Sequence, residues 1–281
     1  MTKKTVLIIG GEGFIGRNIS DVLVKNYQCS SIGIEKSIFL NRKDIFIKNN
    51  PYKNHVEKRF NIYIHLIDNP ISKDVFEIEE KKLIDDLQIK EDSHLIIFSS
   101  AAIYANPNSD YAKRKVNLES FYKKYCEKNG INLTILRLFN TYGKYQLPYK
   151  QGSLVANIFY NYLNNLPIEI NDKTAKRDFI YAEDIGKIVE YVIENKKYGI
   201  MDFGSGESIS IDSLMSLIQA EILSTKININ YRNTKENITQ HSITGDLHKK
   251  IRLTSLLEGL KKTFKFYNEN EEAINRYLNI G

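Results

Sequence analysis

Two cysteines, Cys29 and Cys126, are all that this chain of 281 residues contains. They cannot build a disulfide framework in a chain of this size, so a reducing cytoplasm is the expected compartment. No apolar run approaches the roughly 20 residues that a membrane-spanning helix needs. The start, Met1-Thr2-Lys3-Lys4, leads straight into Val6-Leu7-Ile8-Ile9. A secretory leader would need a longer apolar stretch and a small-residue cleavage site. Internal repeats and low-complexity linkers are also missing. Net charge is +6, but the lysines are scattered, and no basic cluster alternates with aromatics. Nucleic acid is therefore not expected as a partner. A mildly positive surface does suit a dianionic substrate.

What is present is an alternation. Thr5 to Ile9, Ser30 to Ile34, Asn61 to Ile67, Leu95 to Ser99 and Leu133 to Leu138 read as short apolar strands. Arg17 to Tyr27, with Ile19, Val22 and Leu23 inward, and Glu79 to Gln88 read as helices between them. Apolar strands separated by helices predict an α/β fold, a doubly wound parallel sheet covered on both faces. The second half is less regular. Leu154 to Leu163 and Ile185 to Ile193 read as helices, and Met201 to Phe203 as a strand. Asp212 is placed to cap a helix over Ser213 to Ile222. The expected division is a dinucleotide-binding domain over 1–145, rejoined by about 176–203, and a smaller mixed α/β substrate-binding domain over most of 146–281.

The first turn carries the cofactor signal. Gly10-Gly11-Glu12-Gly13-Phe14-Ile15-Gly16 satisfies two glycine registers at once, Gly11-x-Gly13-x-x-Gly16 and Gly10-x-x-Gly13-x-x-Gly16. Glycine allows the tight turn and a close backbone approach to a pyrophosphate at the helix N-terminus. The strand before it and the helix after it are the context such a motif requires. Glu35 closes the next strand, where a carboxylate accepts from ribose hydroxyls and repels a 2′-phosphate. Lys36, Arg42 and Lys43 stand close enough in sequence to hold that phosphate instead. NAD is favoured over NADP, and Asp44 is a candidate for the adenine side.

Tyr111 and Lys115 lie four residues apart, on one face of a helix. An ammonium beside a phenol favours the phenolate, which lets the phenol exchange a proton with a carbinol or ketone near neutral pH. Ser100 ends the run Leu95-Ile96-Ile97-Phe98, at the carboxyl edge of the sheet where ligands gather. A Tyr-x-x-x-Lys pair alone is common on lysine-rich helices. Behind Ser99-Ser100 and the glycine turn it reads as catalytic.

At this point the chain resembles the extended short-chain dehydrogenase/reductases, in the nucleotide-sugar branch (the NAD-dependent epimerase/dehydratase family). The likeness runs over nearly the whole chain. Phe98-Ser99-Ser100-Ala101-Ala102-Ile103-Tyr104 looks like the family's Ser-Ser-x-x-Val-Tyr segment, and Tyr111 to Lys115 matches its Tyr-x-x-x-Lys. Arg137-Leu-Phe-Asn140-Thr-Tyr142-Gly143, Arg177-Asp178-Phe179-Ile180-Tyr181 with Asp184, and Gly204-Ser205-Gly206-Glu207 resemble three further segments. The resemblance implies that Tyr111 is the acid/base, that Lys115 holds the nicotinamide ribose, and that Ser100 bonds the reacting oxygen. It assigns Gly10, Gly13, Phe14, Ile15 and Gly16 to the cofactor, and Asn140 and Arg177 to a substrate diphosphate. A nucleotide-diphosphate sugar is the implied partner, and no metal is. Arg232 and Lys235 compete for a second phosphate contact. His65-Leu66-Ile67-Asp68 departs from the family's His-x-Ala-Ala, and the segment between His65 and Ser100 is short. The helix in that segment often forms a dimer interface in relatives, which leaves homodimerisation open.

Dehydratases of the family carry Asp-Glu after the serine. Here the residues are Ala101 and Ala102, so water elimination lacks its acid and base, and no cysteine stands there for 3,5-epimerisation. Hydride transfer at one carbon, expected at C4, remains. A 4-ketoreductase with exchanging cofactor is expected first and a 4-epimerase with retained NAD second. A non-enzymatic cofactor sensor comes last, because Tyr111 and Lys115 are both kept.

Overall fold

Val6 to Ile9 have no exposed surface at all, because the strand they form is covered on both faces, the situation that makes parallel strands continuously apolar. The computed structural model describes residues 3–33, 38–39, 45–48, 59–67, 73–150, 153–232 and 246–280. The first half runs β1 (Thr5–Ile9), α1 (Phe14–Leu23), β2 (Gln28–Gly33), β3 (Ile45–Lys48), β4 (Ile62–His65), α2 (Lys73–Leu87), β5 (His94–Ser100), α3 (Ala102–Ala105), α4 (Asp110–Lys128) and β6 (Asn132–Leu138). The second half follows with β7 (Asn140–Tyr142), α5 (Leu154–Leu163), β8 (Ile168–Ile170), β9 (Lys176–Arg177), β10 (Phe179–Tyr181), α6 (Ala182–Glu194) and β11 (Gly199–Phe203). It ends with β12 (Ile209–Ser210), α7 (Ile211–Glu221), β13 (Ile229–Tyr231), α8 (Leu256–Glu269) and α9 (Glu271–Ile280).

Seven strands pair in the order β11-β6-β5-β4-β1-β2-β3, all in parallel. The order reverses between β1 and β4, which opens a crevice at their carboxyl ends. Helices α1 and α6 cover one face with Ile19, Leu23, Ile185, Ile188 and Val189. Gly186 lets them meet, since a Cβ there would lie 2.6 Å from a Val22 methyl. Helices α2 and α4 cover the other face with Leu83, Ile84, Leu118, Tyr122 and Cys126. A third core, including Tyr142, Phe159, Tyr181, Leu214 and Tyr267, gathers α5, α7 and α8 around three two-stranded pairs.

Several boundaries differ from the sequence reading, and α2, for one, starts at Lys73 rather than Glu79. Helix α1 starts at Phe14 rather than Arg17, because Gly13 already serves as its cap. Helix α7 is capped by Ser210, whose hydroxyl accepts from the Ser213 N–H, and Asp212 sits in its first turn instead. β11 pairs with β6, and α6 lies on α1, so the chain returns from the third core to the main sheet. Among the described residues no helix is long and apolar enough to cross a membrane.

Candidate active site

The crevice at the strand-order reversal is a cleft of about 530 Å³. Gly10, Gly13, Phe14, Ile15 and Gly16 line one wall, and Ser100, Tyr111, Lys115 and Asn140 line the other. The sequence had proposed all nine as site residues, and the fold brings them to one place. Glu35, Asp44, Lys36, Arg42, Lys43, Asp68 and Lys235 lie outside the described residues.

The glycine turn is built for close backbone approach. Gly10 has φ +84°, in the left-handed region, and a Cβ on Gly16 would fall 2.6 Å from the Gly10 carbonyl oxygen. Helix α1 has no side chain bonding its first-turn N–H groups and no acidic residue in that turn. Its N-terminus therefore offers unmatched donors and a positive dipole end, which suit an anionic group. Glu12 turns to the buried Arg17, 3.7 Å away.

Opposite, Ser109 caps α4 by accepting from the Ala112 N–H. Lys115 is buried, and its ammonium donates to the Phe98 carbonyl at 3.3 Å and lies 5.6 Å from the Tyr111 ring centre. Ser100 Oγ accepts from the Ala102 N–H at 3.1 Å. That bond uses a lone pair and leaves the hydroxyl proton to donate.

One turn beyond Lys115, Glu119 ties α4 to the sheet through Arg137 of β6. Burial works to raise Glu119, yet the guanidinium bonds outweigh it and hold its carboxyl below the ordinary value. Arg137 also donates to the Tyr104 hydroxyl, which donates to Asp202 of β11 at 3.0 Å. Burial raises both Tyr104 and Asp202. A second tie is wholly buried. His65 Nδ1 accepts from the Ile67 N–H at 3.2 Å, so Nε2 carries the proton and donates to Glu80 at 2.9 Å. Tyr122 of α4 donates to the same carboxylate oxygen. These bonds fix the loop after β4, where Leu66 lines the cleft.

A second cleft, about 340 Å³, adjoins the third core. Asn140 lines both clefts, and Arg177, Lys150, Asn157, Glu169 and Asp172 line the second. Asp178, next to Arg177 in sequence, turns inward. It is fully buried and accepts from the Ser205 N–H and hydroxyl at 2.8 and 2.7 Å and from Gly206 at 3.2 Å. Arg177 donates to the Lys176 carbonyl at 3.0 Å. Arg232, one of two candidates for a further phosphate contact, pairs with Glu169 at 3.0 Å. Gln146, Lys150 and Asn157 went unnoticed in the sequence, since each stands outside the recognisable motifs and reaches a cleft only through the fold.

The profile of the NAD dependent epimerase/dehydratase family matches residues 91–204, the stretch from the approach to β5 through Ser100, Tyr111, Lys115, Asn140 and Arg177 to the turn after β11. Over this stretch the chain is similar to the family. A putative UDP-glucose 4-epimerase of Methanocaldococcus jannaschii is 26% identical over 77% of this chain and 82% of its own length. A UDP-2-acetamido-2,6-beta-L-arabino-hexul-4-ose reductase of Pseudomonas aeruginosa is 23% identical over 89% of this chain and 64% of its own. The fold is shared with a UDP-N-acetylglucosamine 4-epimerase of Methanobrevibacter ruminantium, solved with UDP-N-acetylmuramic acid. Its TM-score is 0.76 at 24% identity, covering 96% of this chain and 100% of that one. It is shared too with the UDP-glucose 4-epimerase of Thermus thermophilus, solved with NAD. There the TM-score is 0.77 at 18% identity, covering 94% and 99%.

Proposed function

We propose that this protein is an NAD(P)-dependent oxidoreductase that reduces the 4-keto group of a nucleotide-linked sugar, with Tyr111 as the proton donor. The observation that carries the reading is the single cleft holding the glycine turn, Ser100, Tyr111 and Lys115, joined through Asn140 to a second cleft with Arg177. The donors of the α1 N-terminus fit a pyrophosphate, and the family's own description names NAD. Gly10 to Gly16 would hold the pyrophosphate, Glu35 and Asp44 the adenosine, and Lys115 the nicotinamide ribose. When bound, the cofactor supplies the hydride that reduction consumes.

The chain's own residues supply the rest. Tyr111 delivers the proton that the reduced oxygen needs, a contribution on the order of 10²–10⁴ in rate for a general acid. Lys115 keeps a positive charge beside the phenol and stabilises the phenolate left behind. Ser100, whose hydroxyl proton finds no acceptor among the described residues, donates to the carbonyl oxygen and polarises it. Arg177 offers planar paired donors to phosphate oxygens in the second cleft. Ala101 and Ala102 follow Ser100, so no carboxyl stands there to eliminate water.

A 4-epimerase is the second reading, favoured by the Ser-Ser-Ala-Ala-Ile-Tyr segment and by the name of the 26% identical relative. One experiment separates the two. Purified protein is mixed with a nucleotide 4-keto sugar and one equivalent of NADH or NADPH. Reduction consumes the nicotinamide one for one and yields the 4-hydroxy sugar. An epimerase instead interconverts 4-epimeric nucleotide sugars with no net change in cofactor. No turnover of either kind, with cofactor bound, supports a sensing module and overturns both.

A further inference from the structure

Tyr149 has φ +59°, a left-handed conformation that is costly for a residue with a bulky side chain and persists only where the surroundings hold it. Here α5 holds it at two points. The Tyr149 N–H donates to Asn157 Oδ1 at 2.6 Å, and the Tyr149 hydroxyl donates to Asn161 Oδ1 at 2.5 Å. Asn161 in turn is fixed by its own amide, which donates to the Pro167 carbonyl at 2.8 Å. Ser153 Oγ lies 3.0 Å from the same Asn157 oxygen but gives its proton to the Lys150 carbonyl at 2.5 Å.

These contacts settle which way the Asn157 amide points. A backbone N–H can only donate, so the atom 2.6 Å from the Tyr149 nitrogen must be the oxygen. The other end of the amide is then –NH₂. Among the described residues nothing accepts from it, and Asn157 lines the second cleft. The wall it shares holds two cations, Lys150 and Arg177. The carboxylates there are engaged elsewhere. Glu169 accepts from Asn230 and Arg232, and Asp172 accepts from the Thr174 N–H and hydroxyl. A donor of fixed direction beside two cations is complementary to phosphate oxygens and not to a cation or an apolar group.

We infer that Asn157 is a specificity-determining residue that donates its side-chain N–H to a phosphate oxygen of the substrate, with Tyr149 orienting it. The inference rests on the reading of the second cleft as the nucleotide-sugar site. It adds a neutral, directional contact to the charge of Arg177. The strained Tyr149 backbone is then a positioning device, since a relaxed loop would release the amide to turn over.

Asn157→Asp tests this directly. It keeps the oxygen that the Tyr149 N–H needs and replaces the donor with a carboxylate oxygen facing the phosphate. Calorimetry is run with whichever of UDP, dTDP and GDP the unmodified protein binds best, and with NADH. The expected result is at least about a tenfold loss of nucleoside-diphosphate affinity, the lower end for a hydrogen bond to a charged group, with NADH affinity unchanged. Binding within twofold of the unmodified protein overturns the inference. If Arg177→Ala loses affinity while Asn157→Asp does not, the cleft assignment stands and only the role of Asn157 falls. If the unmodified protein binds none of the three, the cleft assignment and the role of Asn157 fall together. Protein labelled with ¹⁵N at asparagine gives a readout that needs no folded variant. Its Asn157 side-chain amide signals should shift on titration with the nucleoside diphosphate, and unmoved signals also overturn the inference.

Discussion

Arg137 holds both carboxylate oxygens of Glu119, through Nε at 2.8 Å and a terminal nitrogen at 2.7 Å. The pair joins β6 to α4, the helix that carries Tyr111 and Lys115. Glu119 is buried, so removing it would strand the guanidinium among partners it cannot satisfy. Glu119→Ala should cost roughly 3 kcal/mol in urea unfolding, the low end for breaking a buried ion pair. Turnover should fall as well, because α4 loses its anchor one turn from Lys115. A stability change below 1 kcal/mol would show that the pair does not hold the helix.

His94 should set part of the acid limit of stability. Its ring is buried edge-on to Tyr198 at 5.0 Å, and Nε2 lies 2.7 Å from the Thr134 hydroxyl. Thr134 donates its own proton to the Lys197 carbonyl, so Nε2 carries a hydrogen. Burial first, and the charge of Lys4 second, push the His94 pKa down from 6.5 to about 4. Between these values the unfolded chain binds a proton that the folded chain refuses. The stability associated with His94 is therefore complete above pH 6.5 and lost as pH falls toward 4. The loss is on the order of 3 kcal/mol. Urea unfolding at pH 7.5, 5.5 and 4.5 should show this slope, and His94→Gln should flatten it. An equal slope in the variant would assign the effect to other groups.

Under the proposed function, cofactor choice rests on Glu35 and the turn itself on Gly16. Calorimetry with the four nicotinamide cofactors should show binding with a preference for the NAD pair, and Gly16→Ala should abolish it, since the added carbon meets backbone at 2.6 Å. A strong NADP preference would remove Glu35 from the ribose, and no binding of any cofactor would remove the turn.

Arg177→Ala should weaken nucleotide-sugar binding by about 1.5–3 kcal/mol, the range for a hydrogen bond to a charged group. Cofactor affinity should hardly move, because Arg177 lines only the second cleft of the two. Equal losses for both ligands would indicate a damaged fold instead.

Much of the first half could be read from residues alone. Val6 to Ile9 and Leu95 to Phe98 are continuously apolar because helices cover both their faces, and Gly10 to Gly16 fall where chain reversal permits few other residues. Ser100, Tyr111 and Lys115 were found because their spacing is local. The second cleft was mostly hidden. Asn157 lines it from α5 with its amide turned by a bond to the strained Tyr149, and nothing in the order of residues announces a left-handed tyrosine. Asp178 stands beside Arg177 in sequence, and only the fold shows that it turns inward to the Ser205 turn. The buried bonds of Glu80 to His65 and Tyr122 join three separate elements, which no short motif records.

The most direct test of the account is the rate of hydride transfer by Tyr111→Phe in a single turnover, with a nucleotide 4-keto sugar and saturating reduced cofactor. The variant removes one hydroxyl from the cleft and leaves the ring beside Lys115 in place. The rate should fall by about 10²–10⁴, the contribution of a general acid, while cofactor affinity and thermal midpoint stay within error. Lys115→Ala should lose both rate and cofactor affinity. A Tyr111→Phe protein that transfers hydride at nearly the full rate would contradict the account at its centre.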